Sequence, residues 1–145
     1  MESIHARVAT PVDAPDLARL NFLFNETQLP VEHYLRRMAT RGGVDTPLVA
    51  VLGEIVVGMA NLRLLTPLFY EEPYAELTEL YVEEGYRRKG AAQALVSLAE
   101  ALARQAGAEE MLILTDFTNH AALTLYRKSG YRRYEVALNK TLKEE

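Results

Sequence analysis

The sequence predicts a mixed α/β fold: a central sheet of about six to seven strands, flanked on both faces by about four helices. Three observations lead there. Two apolar runs, residues 48–52 and 55–60, meet at Gly53-Glu54 and read as a tight antiparallel hairpin. From Leu77 onward strand-like and helix-like stretches alternate, the order that parallel pairing requires. The chain has 145 residues and is 49% hydrophobic, which suits one compact domain over residues 1–145 with an ordinary core.

Composition narrows the function classes. A net charge of −4 argues against a general nucleic-acid binder. The absence of cysteine excludes disulfides and thiolate metal sites, and His5, His33 and His120 are too scattered to suggest a metal centre. The opening residues, Met1-Glu2-Ser3-Ile4-His5-Ala6-Arg7, lack the apolar core of a signal peptide. No apolar run reaches the length of a membrane span, so a soluble cytoplasmic protein is expected.

Each element has its own signal. Residues 4–9 alternate weakly and stop at Thr10-Pro11, an opening strand. Asp13 is placed to cap a first helix that carries Leu17, Leu20 and Phe24 and runs to about Asn25. Pro30 starts a second helix with Val31, Tyr34, Leu35 and Met38 on one side, stopped by Gly42-Gly43. Gly58, inside the second hairpin strand, marks a bulge or a close backbone approach. Residues 66–73 form a loop with Pro67, Phe69, Tyr70 and Pro73, whose aromatics read as lid or rim packing rather than as catalysts. Residues 75–83 are the central strand. Strict alternation there groups Glu79 with Leu77 and Tyr81, so either the strand is bulged or Glu79 faces a cleft. A third helix from Gly90 to Gly107 shows Ala91, Leu95, Leu98 and Leu102 on one stripe. Residues 111–114 are a short apolar run, as in a strand buried on both faces. Asn119 caps a last helix ending at Ser129, with Gly130 in the C′ position. Residues 131–142 alternate through Tyr134, Val136 and Leu138 and are expected to close the sheet.

The chemistry concentrates between the central strand and the third helix, at Tyr86-Arg87-Arg88-Lys89-Gly90-Ala91-Ala92. A helix start leaves N–H groups without partners at the positive end of its dipole. Gly90, Ala91 and Ala92 are small enough to let an anion approach those amides, and Arg87, Arg88 and Lys89 add full charges. Such a loop suits a phosphate or pyrophosphate, against the alternative of a solvated basic turn. Neither Gly-x-Gly-x-x-Gly nor Gly-x-x-x-x-Gly-Lys-[Ser/Thr] is present.

In this company the stretch resembles the acyl-CoA signature of the GNAT N-acetyltransferases, Arg/Gln-x-x-Gly-x-Gly/Ala, with Arg87, Gly90 and Ala92 in its fixed places. Asn119-His120-Ala121-Ala122-Leu123-Thr124-Leu125-Tyr126, continuing to Gly130-Tyr131, resembles the family's second signature, Asn-x-x-Ala-x-x-Leu-Tyr-x-x-x-Gly-Phe/Tyr. The close match runs from Leu77 to Tyr131; the first half agrees in element order.

The resemblance implies a GNAT fold and an enzyme that passes acetyl from acetyl-CoA directly to a primary amine, without a metal. It implies that the central strand and the one near Met111 splay apart, with pantetheine in the gap. On that basis the loop Arg87, Arg88, Lys89, Gly90, Ala91 and Ala92 holds the pyrophosphate. The backbone of Leu80, Tyr81 and Val82 pairs with pantetheine and donates an N–H to the thioester oxygen. Tyr126 takes the place of the general acid, the alternative being an aromatic residue packed beside Leu125. Asn119 is a helix cap, a contact to the pantetheine arm, or both. Glu79 is the candidate base for the acceptor ammonium, the alternative being a solvated strand residue. The helical pair in the first half walls the acceptor site in the family, which places specificity among residues such as Glu26, His33 and Tyr34. Members are often homodimers, sometimes through their last strands.

Glu71, Glu72, Glu76, Glu79, Glu83 and Glu84 precede Arg87 with no cation among them, a rim that favours a cationic small-molecule or peptide acceptor, unless it is merely a solvated edge. Two rival readings stay open: a non-catalytic CoA-binding sensor or interaction module, and a basic loop for other phosphorylated ligands.

Overall fold

Gly53, at φ 61°, turns the chain between the two apolar runs, and the hairpin it makes is the middle of the sheet. The strands are β1 (Ile4–Val8), β2 (Asp45–Leu52), β3 (Ile55–Leu65), β4 (Tyr74–Val82) and β5 (Leu112–Ile113), paired in that order. The first three junctions are antiparallel and β4–β5 is parallel, so the sheet is mixed. The helices are α1 (Ala14–Asn25), α2 (Val31–Ala39), α3 (Ala91–Gln105) and α4 (His120–Lys128). The computed structural model describes residues 3–40 and 43–144, so Gly42 of the expected helix stop lies outside the described residues. It forms two compact units, Met1–Ile113 and Leu114–Glu145; the first holds the sheet and α1 to α3, the second holds α4.

Strand alternation sends two sets of side chains to opposite faces of the sheet. Val49, Val51, Val56 and Met59 join Leu17 and Leu20 of α1, with Tyr34 and Met38 of α2 and Tyr81 of β4 packed against them. Leu48, Ala50, Leu62 and Leu77 are fully or almost fully buried on the other face, where α3 packs across β1 to β4. The α3 stripe is shifted from its expected position. Ala91, Leu95, Val96, Ala99 and Ala103 are buried, while Leu98 and Leu102 are half-buried flanks. Alanine at the line of closest approach lets the helix backbone lie near the sheet, and the leucines cover its edges.

Asp13 does not cap α1 with its side chain. A 3-10 turn, Pro11–Asp13, comes first, and the Asp13 carboxylate accepts from Arg7 Nη1 at 2.7 Å, Arg7 Nη2 at 3.0 Å and the Thr10 N–H at 2.8 Å. The carboxylate thus ties the end of β1 to the start of α1, and Asp13 is only 3% exposed. The Arg7 guanidinium holds the Asp13 carboxyl below its ordinary value of 3.8. A depressed folded-state value means that this contribution is complete at neutral pH and fades as pH falls below that ordinary value. Asp13→Ala is expected to cost about 2 kcal/mol at pH 7, the cost of leaving Arg7 and the Thr10 amide unpaired. The difference from the parent should shrink below about pH 4, in urea unfolding followed by circular dichroism.

Both readings of Gly58 hold. The β2–β3 register slips between Ala50 and Val51, and a Cβ on Gly58 would stand 3.0 Å from the Tyr81 carbonyl oxygen and 3.2 Å from Val82 Cγ2. The β3–β4 register slips as well: Met59 pairs with Tyr81 but Asn61 with Thr78, leaving an extra residue on β4. Glu79, at φ 57°, sits in that bulge. The bulge reverses the phase of the strand, so Tyr81 joins the α1–α2 side while Leu77 faces α3; the strictly alternating grouping of Leu77, Glu79 and Tyr81 does not form.

Two expected strands differ. β5 is short, with Leu112 and Ile113 half-buried and Leu114 60% exposed, so the run is not sealed on both faces. Residues 131–142 form no strand, which gives five strands among the described residues against the six or seven expected. Val136, Leu138 and Leu142 are each more than 80% exposed. Alternation marks a strand only where a neighbour completes the backbone hydrogen bonds, and this segment has no ladder partner among the described residues.

Candidate functional site

Beyond β4 the chain makes a 3-10 turn, Glu84–Tyr86, and then a bend in which Arg88 and Gly90 both take left-handed backbone, at φ 64° and 91°. Left-handed conformations within a tight turn converge successive N–H groups into a concavity for an anion. Gly90 has no capping side chain, and the first bond of α3 there is Ala94 N–H to the Gly90 carbonyl at 3.0 Å. The amides of Ala91 and Ala92 therefore have no acceptor among the described residues. A Cβ on Gly90 would meet nothing within 4 Å, so what favours glycine there is its left-handed φ and not a lack of space. The Ala91 methyl is buried in the core, which leaves only its backbone to the loop. Arg88 and Lys89 are exposed.

Arg87 behaves differently from its neighbours. Its Nε donates to the Val82 carbonyl at 2.9 Å, and its guanidinium lies 5.5 Å from the centre of the Tyr81 ring. Phe24 of α1 is a further neighbour of that ring, at 5.2 Å. Arg87 thus ties the loop to β4, and its terminal nitrogens have no hydrogen bond among the described residues.

The edge of β4 away from β3 has no strand partner among the described residues beyond its short ladder with β5. That ladder holds Glu76 to Leu112 and Leu77 to Ile113 and goes no further. The Glu83 N–H donates to the Val57 carbonyl across the β3 side, so alternation turns the backbone of Val82, and of Leu80 before it, toward that edge. Tyr81 turns its backbone to β3. Of the residues expected to pair with pantetheine, Leu80 and Val82 have the suitable edge, and one lone pair of the Val82 carbonyl already serves Arg87.

Glu79 is exposed, and the Asn25 side-chain amide donates to its Oε2 at 2.7 Å. The same amide nitrogen donates to Asn21 Oδ1 at 2.7 Å, and Asn21 Nδ2 donates to the Tyr34 hydroxyl at 2.8 Å. Asn21 and Asn25 are one turn apart near the end of α1; that spacing was readable in the sequence, but their partners on β4 and α2 were not. Arg19 was missed too. It pairs with Glu83, donates to the Val56 carbonyl at 3.0 Å and reaches Asp16 at 3.2 Å. The acidic rim is therefore less uniform than its sequence, since Glu83 is paired with Arg19 and Glu76 accepts from the Tyr74 hydroxyl at 2.9 Å. Among the described residues no group of His, Cys, Asp and Glu gathers to hold a metal ion.

In the second unit, Asn119 Oδ1 accepts from the Ala122 N–H at 3.2 Å, a helix cap. Gly130 at φ 95°, with Gly130 N–H to Arg127 carbonyl and Tyr131 N–H to Tyr126 carbonyl bonds of 3.1 and 2.9 Å, closes α4. Tyr126 is 8% exposed, its ring edge-on to Tyr131 at 6.0 Å, and burial pushes its phenol above the ordinary value. His120 is exposed on α4.

Comparison with known proteins bears on the family and the fold. The human protein N-acetyltransferase 8 is 32% identical over 85 residues, 59% of this chain and 37% of that protein. The chloroplastic GCN5-related N-acetyltransferase 4 of Arabidopsis thaliana is 36% identical over 62 residues, 43% of this chain and 21% of that protein. The matches thus span about a third and a fifth of those curated relatives. Among solved structures, an aminoglycoside acetyltransferase from an uncultured soil metagenomic sample, in complex with trehalose, superposes at a TM-score of 0.82 with 23% identity, covering 97% of each chain. The aminoglycoside N-acetyltransferase AAC(6')-Iy in complex with CoA does so at 0.82 with 14% identity, covering 97% of this chain and 95% of its own. At these identities the structures establish the fold. The Acetyltransferase (GNAT) family model matches residues 14–131, well over half of the chain, and the chain belongs to that family.

Proposed function

We propose that this protein is an acetyl-CoA-dependent N-acetyltransferase, one domain over residues 1–145, acting on a primary amine of a small molecule or peptide. The observation that carries the reading is the loop from Arg87 to Ala92: left-handed Arg88 and Gly90, and the Ala91 and Ala92 amides without an acceptor among the described residues, beside the β4 edge whose ladder with β5 stops at Leu77. The amides and the cations Arg87, Arg88 and Lys89 hold the pyrophosphate. The backbone of Leu80 and Val82 aligns the pantetheine arm, with Tyr81 braced behind by Phe24 and Arg87. An N–H of this strand polarises the thioester carbonyl. Glu79 takes the proton of the acceptor ammonium, and Tyr126 supplies one to the departing thiolate. Asn119 caps α4 and contacts the pantetheine arm. Direct transfer in a ternary complex is favoured over a covalent intermediate, since the chain offers no cysteine nucleophile. The reading takes the protein to be cytoplasmic and a homodimer.

A cationic acceptor is favoured, because Glu71, Glu72, Glu79 and Glu84 have no ion pair among the described residues. The aminoglycoside acetyltransferases among the structural neighbours make aminoglycosides a rational first choice. A panel of aminoglycosides, polyamines, lysyl peptides and neutral amines, followed by free-thiol release from acetyl-CoA, tests this. The expected result is the highest kcat/KM with a polycation, falling as salt is raised. Preference for uncharged amines would refute the steering argument; CoA binding with no transfer to any amine would leave a non-catalytic CoA-binding module.

A further inference from the structure

Resting on that reading, we propose that Asn25 is a positioning residue for the acceptor amine: it fixes the Glu79 carboxylate through its side-chain amide and is itself fixed by Asn21 and Tyr34. Glu79 stands in an exposed bulge on left-handed backbone, where an unsupported side chain samples several rotamers. Both amide protons of Asn25 are committed, one to Asn21 Oδ1 and one to Glu79 Oε2, each at 2.7 Å. Asn21 in turn donates to the Tyr34 hydroxyl at 2.8 Å, and Tyr34 packs against the α1–α2 core. The polarity of the relay is consistent from end to end: every link has one donor and one acceptor. It couples α2, α1 and β4 through side chains alone. What remains for an acceptor amine at its exposed end is Glu79 Oε1, which has no hydrogen bond among the described residues. A carboxylate oxygen held in one orientation suits a primary ammonium, which offers donors but no acceptor.

A double-mutant cycle separates this role from a structural one. With the panel acceptor of highest kcat/KM, Asn25→Leu is expected to lower kcat/KM about tenfold, the size of one hydrogen bond to a charged group. The KM for acetyl-CoA and the melting temperature should stay at parental values. In a Glu79→Gln background the same change should cost less than about twofold, because the carboxylate it serves is gone. An equal loss in both backgrounds would overturn the proposal. A second measurement requires no turnover: in the 15N-labelled free protein, Glu79→Gln should shift the Asn25 side-chain amide signals, and unmoved signals would equally overturn it. A protein that acetylates nothing would therefore refute the enzymatic reading, while the spectrum would still decide whether Asn25 holds Glu79.

Discussion

Tyr126→Phe is expected to lower kcat by about 100-fold, within the range for a lost general acid, with the affinity for coenzyme A unchanged. The substitution removes one oxygen from a side chain that is 8% exposed and keeps the ring, so the edge-on contact with Tyr131 at 6.0 Å and the fold of α4 should survive. The hydroxyl is suited to the role by its environment. Burial disfavours the phenolate and raises the value at which the proton is lost, so Tyr126 stays protonated throughout the neutral range. The sign follows: any alkaline fall in kcat that belongs to Tyr126 must lie above the ordinary tyrosine value of 10.0, and a break near pH 7 to 9 belongs to another group. Steady-state thiol release, with a single-turnover experiment to isolate chemistry, checks both points. A parental kcat in Tyr126→Phe would reduce the residue to packing beside Leu125.

The second large effect is expected at Gly90. At φ 91° a β-branched residue is strained by roughly 1–3 kcal/mol, and the backbone can relieve the strain by rotating the amides that open α3 away from their present direction. Gly90→Val should weaken coenzyme A binding at least about tenfold by isothermal titration calorimetry. Gly90→Asn is the control. Asparagine tolerates left-handed backbone, and a side chain at this position meets nothing within 4 Å, so binding should stay within about threefold of the parent. Equal affinity in the valine variant would mean that the conformation of Gly90 does not shape the site.

Much of this organisation was legible in the sequence because it is local. The hairpin turn at Gly53, the Asn119 cap and the Gly130 helix end are decided by residues adjacent in the chain, and each appears where its signature lies. Glu79 shows where local reading stops. Its misfit with Leu77 and Tyr81 was visible as a conflict, and the left-handed bulge resolves it, but the Asn25 amide that holds it comes from 54 positions earlier. Arg19 and Glu83 form a similar long-range pair that removes one charge from the acidic rim. Leu98 and Leu102 drew the expected α3 face toward the large side chains, whereas the helix lies closest where it is smallest, at Ala99 and Ala103. Residues 131–142 carry strand-like alternation without a ladder, since pattern can specify a face but cannot supply a neighbour.

Titration of the 15N-labelled protein with coenzyme A, read at the backbone amides, bears most directly on the grip that the head of α3 is said to have on the diphosphate. The expected result is saturable binding with the largest shifts at Arg88, Lys89, Gly90, Ala91 and Ala92, with Val82 following. Saturation that moves other amides and leaves these five in place, or no binding at all, would contradict the assignment.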